Sequence, residues 1–472
     1  MNYIKKFRSM IKGLMLLVAL IGWQTAFAVS TPCQKDLSNI ETWFPHKNTP
    51  EPDSKNFAPN SICSFNAWSW QMFLWLTQEV KGQPRFLSFE TPYDVLNIES
   101  REVLKPTTGH NPFDETVQAG PDGILIDQNN NVVYYSQYLN SDLVDFINDN
   151  KLTDPKVVQA FDPSTSFPAG SLELKASWRI VEPGEDTRDV FTMTYEIYGL
   201  KQQGSQFVID IGNIRKKKLA LVGFHIGGVV KNHPEMIWST FEHINNSPYV
   251  PADFTPDTVI ASSGDFTFFN SNPGKSTPQL TNTYAGCNKN YITSPYMSLD
   301  QNTQKMSPIT QVCLQYQHGN TVIYNLSPTK SVNEIIQKTI DENDSGLIQL
   351  NHIVKTNLKK EESVWANYRE IGSIWFKAKN ALKPDMNLET DFNNDGSQLL
   401  IGSLMLSNST IETYTQFASA ENNCFRCHNT EQRLLQTSSG KPLEPLKPMN
   451  LNISHAFVNI YSWSQEMALN QK

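Results

Sequence analysis

Cysteine is scarce in this sequence, with six among 472 residues. Only Cys424 and Cys427 have C-x-x-C spacing. A zinc site of paired C-x-x-C knuckles is thereby excluded, because tetrahedral zinc needs two more clustered ligands. A thioredoxin-like pair is disfavoured as well, since no βαβ pattern leads into it. The chain contains no G-x-S-x-G elbow, no phosphate-cradling glycine loop and no H-E-x-x-H helix, so it offers none of the commonest hydrolase, nucleotide or metalloprotease signatures. Nor does it contain an internal repeat or a long low-complexity tract. Positive charge is in deficit: the formal net charge is −8, which argues against nucleic acid or an anionic membrane surface as partner. Long apolar runs are absent except near the N-terminus, and that one, Leu14-Met15-Leu16-Leu17-Val18-Ala19-Leu20-Ile21, is shorter than the ~20 residues a spanning helix needs.

What is present at the N-terminus reads as an export signal. Lys5, Lys6, Arg8 and Lys12 precede the apolar run without an intervening acid, and Ala26-Phe27-Ala28 follows it. A basic n-region, a short h-region and an A-x-A site predict a signal peptide over residues 1–28, a periplasmic destination and a mature chain without a membrane span. In that oxidising compartment the four cysteines at 33, 63, 287 and 313 are expected as staples. Four thiols allow three pairings, of which proximity favours Cys33–Cys63 and Cys287–Cys313.

The most specific motif is Cys424-Phe425-Arg426-Cys427-His428. Two thiols three positions apart fall on one side of a helical turn, where each can add to a haem vinyl group. The adjacent imidazole can then turn onto the iron. Chance supplies only about one or two such matches per thousand chains of this composition. The motif predicts one covalent haem c, held by Cys424 and Cys427, with His428 as proximal iron ligand. Export fits this, because thioether attachment in bacteria takes place outside the inner membrane.

Periodicity predicts an α+β fold: an antiparallel β-rich body, sandwich or barrel, with a helical C-terminal haem-binding region. Residues 29–330 form the expected β-rich domain and residues 331–472 the mainly helical one. Phe65, Trp68, Met72 and Trp75 recur at helical spacing near the start of the body. A hairpin is expected around Asp127–Asn131, and strands at 171–180, 191–198, 207–211, 219–230 and 321–326. Residues 171–180 alternate, with Leu172, Leu174, Ala176, Trp178 and Ile180 on one side and Glu173, Lys175, Ser177 and Arg179 on the other. Beyond residue 331, helices are predicted at 332–341, 363–378 and 454–469. Ser409-Thr410-Ile411-Glu412 reads as a capping box opening a further short helix toward Cys424.

The sixth iron ligand decides between an electron carrier and an open site. Met449, in the proline-containing stretch Pro445-Leu446-Lys447-Pro448-Met449-Asn450, is the best-placed distal candidate. His455, Met467 and Met405 are weaker ones, and a vacant position is also possible. A second concentration of chemistry lies at His225, Glu242 and His243, a candidate catalytic pocket in which an acid or base could act beside the haem. The competing reading of these three is satisfied polar groups within a β core.

Several segments together resemble a group of bacterial exported cytochrome c family proteins. They are Ala67-Trp68-Ser69-Trp70-Gln71-Met72-Phe73, the strand around Glu173 and Arg179, and Val222-Gly223-Phe224-His225-Ile226. Further along come Ile237-Trp238-Ser239-Thr240-Phe241-Glu242-His243 with Asn246, Ser363-Val364-Trp365-Ala366-Asn367-Tyr368, and residues 408–413 before the haem motif. The resemblance implies an exported monohaem protein with a large additional domain, and it brings no substrate with it. The sequence thus leads to a periplasmic c-type cytochrome that passes single electrons to a redox partner protein, which the acidic chain would prefer basic. Its alternatives are a haem-dependent enzyme acting on a small oxidant or organic substrate, and a haem-based sensor.

Overall fold

The computed structural model describes residues 39–58, 61–96, 116–119, 123–251, 254–273, 280–290, 296–315, 330–386, 399–416, 424–437 and 440–470. The expected signal peptide, Cys33 and the expected strand at 321–326 lie outside the described residues. The fold is α+β, built on one antiparallel sheet. Its strands are β1 (Tyr134–Leu139), β2 (Leu172–Ile180), β3 (Thr192–Gln203), β4 (Gln206–Val230), β5 (His233–His243), β6 (Tyr368–Phe376) and β7 (Leu400–Gly402). The spatial order is β7-β6-β5-β4-β2-β1, and β3 pairs with β4 beyond the point where β5 ends. The sheet is open rather than closed into a barrel. Strands from both sides of residue 330 belong to it, since β6 pairs with β5 and β7 with β6.

Residues 363–378 are not helical. A 3-10 turn at Val364–Asn367 leads directly into β6. Trp365, Tyr368, Ile371 and Trp375 do match helical spacing, but β-branched Ile371 and Ile374, with Gly372 and Ser373 between them, make a weak helix. The free edge of β5 offers this segment a full ladder of hydrogen bonds instead. The other helical expectations correspond to α1 (Ile62–Thr77), α3 (Lys330–Lys360) and α4 (His455–Asn470), with α2 (Ser141–Asp149) between β1 and β2.

The two sheet faces have different coverings. On the first, Ala176, Phe224 and Phe241 lie in register across β2, β4 and β5. Helix α1 packs there through Trp70 and Phe73, whose rings lie 5.1 and 4.4 Å from Phe241. This helix is buried nearly all round, which its dense aromatic content permits. Fully burying Trp70 or Phe73 contributes on the order of 2–3 kcal/mol. Asn351 of α3 ties the same layer together, accepting from Trp70 Nε1 at 3.0 Å and from Glu370 N–H at 3.0 Å.

On the second face, alternation places Glu173, Lys175 and Ser177 beside Gly227, His225 and Gly223, and these beside Trp238, Thr240 and Glu242. This polar face does not meet solvent: Glu173, Ser177, Thr240 and Glu242 are all buried. Residues 407–416, the Cys424–His428 turn and the start of α4 lie over it. Cys287 and Cys313 are disulfide-bonded with Cα atoms 5.7 Å apart, as their proximity led us to expect. Cys63 is also disulfide-bonded. No helix among the described residues is long and apolar enough to cross a membrane.

Candidate functional site

Cys424–Arg426 forms a single 3-10 turn. The amides of Cys427 and His428 both donate to the Cys424 carbonyl, at 3.2 and 2.9 Å, so both thiols and the imidazole are carried by one compact turn. Phe425 anchors it, fully buried with its ring 5.0 Å from Phe376. Neither thiol is in a disulfide; Cys427 is exposed and Cys424 half-buried. Burial, reinforced by the charge of Glu412, pushes the Cys424 thiol well up.

His428 is held on three sides. Its Nδ1 lies 2.8 Å from the Ile453 carbonyl, an acceptor only, so Nδ1 carries the proton and Nε2 keeps its lone pair. The Trp238 ring lies against one side at 3.7 Å between centroids, and His455 stacks at 4.0 Å with its plane tilted by 18°. His455 is fixed in turn by Nε2, which donates to the Cys427 carbonyl at 3.0 Å. Burial, then the neighbouring His455, holds the His428 pKa well below the imidazole range, which favours the neutral, ligating form. Burial first and Lys175 second push His455 down to about 4. Arg433 closes the arrangement by donating to the carbonyls of Cys427 and Asn429 at 2.8 and 3.0 Å.

The turn thus offers two thiols outside any disulfide and an adjacent imidazole hydrogen-bonded through Nδ1, a donor set that would fit thioether attachment of haem. Among the described residues no group of three or more His, Cys, Asp or Glu is placed to hold a metal ion by itself. Met449, the predicted distal ligand, is fully buried in the hydrophobic cluster that also holds Trp238, Phe425 and Phe457. Met405 belongs to the segment after β7 and is buried, while Met467 lies late on α4. His455 stands beside His428 rather than across from it. Its ring lies over the face of the His428 ring, not beyond the Nε2 edge that would hold iron.

The predicted trio of His225, Glu242 and His243 does not form one pocket. His225 and Glu242 share the second face, but Glu242 is saturated: Arg369 Nη2 donates to Oε1 at 2.7 Å and the Ser409 amide to Oε2 at 2.8 Å. Adjacent in sequence, His243 points to the opposite side, as strand alternation requires. Its Nε2 donates to the Asp189 carbonyl at 3.0 Å, and at that end of the strand it helps line a cavity of about 270 Å³ with Asp127, Arg179 and Asp265.

The partner of His225 is Glu412, which sequence reasoning took for a helix cap. His225 Nε2 lies 2.7 Å from Glu412 Oε1, out of line for a hydrogen bond but within ion-pair distance. Residues 409–412 do not start a helix. They form a turn in which Asn408 is the cap: its Oδ1 accepts from the Thr410 and Ile411 amides, and Glu412 Oε2 accepts from the Asn408 amide at 2.6 Å. The capping-box pattern was therefore a real signal, displaced by one residue and used to hold a carboxylate against His225. Thr410 completes the seal, with Oγ1 2.7 Å from Ser177 Oγ and its carbonyl accepting from Tyr135 OH at 2.6 Å.

No protein-family model matches this chain, and no match was found among the curated proteins or the solved structures.

Proposed function

We propose that this chain is an exported, periplasmic monohaem c-type cytochrome that transfers single electrons, with haem c attached through Cys424 and Cys427 and ligated by His428. The observation that carries this reading is the setting of the His428 ring. Its Nδ1 proton is committed to Ile453 and its sides are flanked by Trp238 and His455, so the Nε2 edge is the one left for iron. When bound, the haem supplies an iron that exchanges one electron between two oxidation states. The protein's own residues orient and tune. The Ile453 carbonyl raises the basicity of the imidazole, the Trp238 and His455 rings restrict its rotation, and burial keeps it neutral. The acidic chain suits a basic redox partner, for which the seven-stranded body would serve as a docking platform.

One observation favours a second reading, a haem-dependent enzyme or sensor. The His225–Glu412 pair is an imidazole and a carboxylate held in the wall next to the attachment turn, within electrostatic reach of His428 and Cys424. A pure carrier has no need of such a pair, whereas chemistry on a small oxidant or organic substrate calls for a group that holds and passes a proton. The two readings separate in the reduced spectrum of the protein exported from a strain that matures cytochromes. A spectrum unchanged by carbon monoxide means a second protein ligand and supports electron transfer, with Met449→Ala expected to open the site. One that shifts with the gas favours the enzyme or sensor.

A further inference from the structure

We propose that Glu173, on β2, is a positioning residue for the axial histidine, acting through the N-terminus of α4; this rests on the haem reading above. Glu173 belongs to the polar face of the sheet and is buried beneath the attachment turn and α4. Its Oε1 accepts from the Ala456 amide at 3.1 Å, in the first turn of α4. The Ser454 hydroxyl accepts from the Phe457 amide at 3.0 Å and caps the same turn. The helix start is therefore pinned to the sheet by one side chain, which accepts from a first-turn amide that the helix itself leaves unpaired.

That helix start makes two of the contacts that fix His428. Ile453, immediately before Ser454, supplies the carbonyl that takes the Nδ1 proton at 2.8 Å, and His455, the first residue of α4, supplies the ring stacked at 4.0 Å. Loss of the acceptor at Glu173 frees the 453–456 segment from the sheet and loosens both contacts. A weaker hydrogen bond from Nδ1 makes the imidazole a poorer donor to iron. The oxidised, more electron-poor state loses more from that change than the reduced state, so the midpoint potential rises. The role asked of Glu173 is that of an acceptor, which a neutral amide can also fill.

The test compares wild type with Glu173→Gln, which keeps an acceptor, and Glu173→Met, which keeps the volume without one. All are exported from a cytochrome-maturing strain and checked for covalent haem by staining after denaturing electrophoresis. Midpoint potential and reduced α-band position are then read. The expected result is an upward shift of potential with a displaced α band in Glu173→Met, and wild-type values in Glu173→Gln. If Glu173→Met does not accumulate, Glu173→Ala removes the acceptor with less bulk to place and carries the same prediction. Wild-type potential in a haem-loaded Glu173→Met, or equal shifts in both Glu173 variants, would overturn the positioning role while leaving the haem reading intact. Absence of covalent haem from the wild type would instead overturn the haem reading and this proposal with it.

Discussion

Gly227 has no side chain because the Trp238 indole occupies the space: a β-carbon there would come within 2.7 Å of the ring. The same indole lies against His428, so a backbone requirement near the end of β4 is transmitted to the Cys424–His428 turn. Gly227→Ala should push Trp238 out of place, cost ~1–3 kcal/mol by overpacking and change tryptophan fluorescence; an unchanged melting curve and emission would refute the transmission. A second residue-scale prediction concerns Asp127. Burial raises its pKa from an ordinary 3.8 to about 6, against the amides of Asn129 and Asn131 that favour the charged form. Between those two values the folded chain holds a proton that the unfolded chain has released. Its contribution is therefore full below about pH 4 and is lost as pH rises through about 6, by up to ~3 kcal/mol. Asp127→Asn should remove that slope, so denaturant midpoints of the two proteins should diverge from pH 4 to pH 6.5, with the variant the more stable at neutral pH. Parallel curves would contradict this.

At the scale of elements, what could be read from the sequence depended on whether local pattern and tertiary context agreed. The alternation of β2 was plain because Leu172, Leu174, Ala176 and Trp178 face one side and polar residues the other, a period no helix shares. The pattern could not show that the polar side is buried, since the segment covering it lies more than 200 residues away. Residues 363–378 failed for the opposite reason: their aromatic spacing suits a helix, and a vacant edge on β5 outweighs it. Glu412 was visible as a capping glutamate, yet its meeting with His225 depends on how residues 407–416 lie across β4 and β5. The loop-rich region between the sheet and α3 carries its own small core of Val250, Ile260, Phe269 and Cys313. The Cys287–Cys313 bridge closes a loop over a sequence separation of 26, worth about 3 kcal/mol in chain-entropy terms. Replacing both cysteines by serine should lower the melting temperature and expose this region to protease before the sheet yields. Cleavage that begins elsewhere would place the weak point outside it.

The whole molecule is an open sheet with an apolar face under α1 and α3 and a polar face under the attachment turn, the 407–416 segment and α4. That division explains why the candidate site draws on residues from Glu173 to His455: the sheet gathers them onto one surface. Every role proposed for the site depends on the Cys424–His428 turn carrying haem. The decisive measurement is haem staining and quantitation of the exported protein after full denaturation, beside the Cys424→Ala/Cys427→Ala variant. One haem per chain that survives denaturation in the wild type and is lost in the variant is the predicted result. A wild-type chain exported from a competent strain without bound haem, or a variant that stains equally, would contradict it.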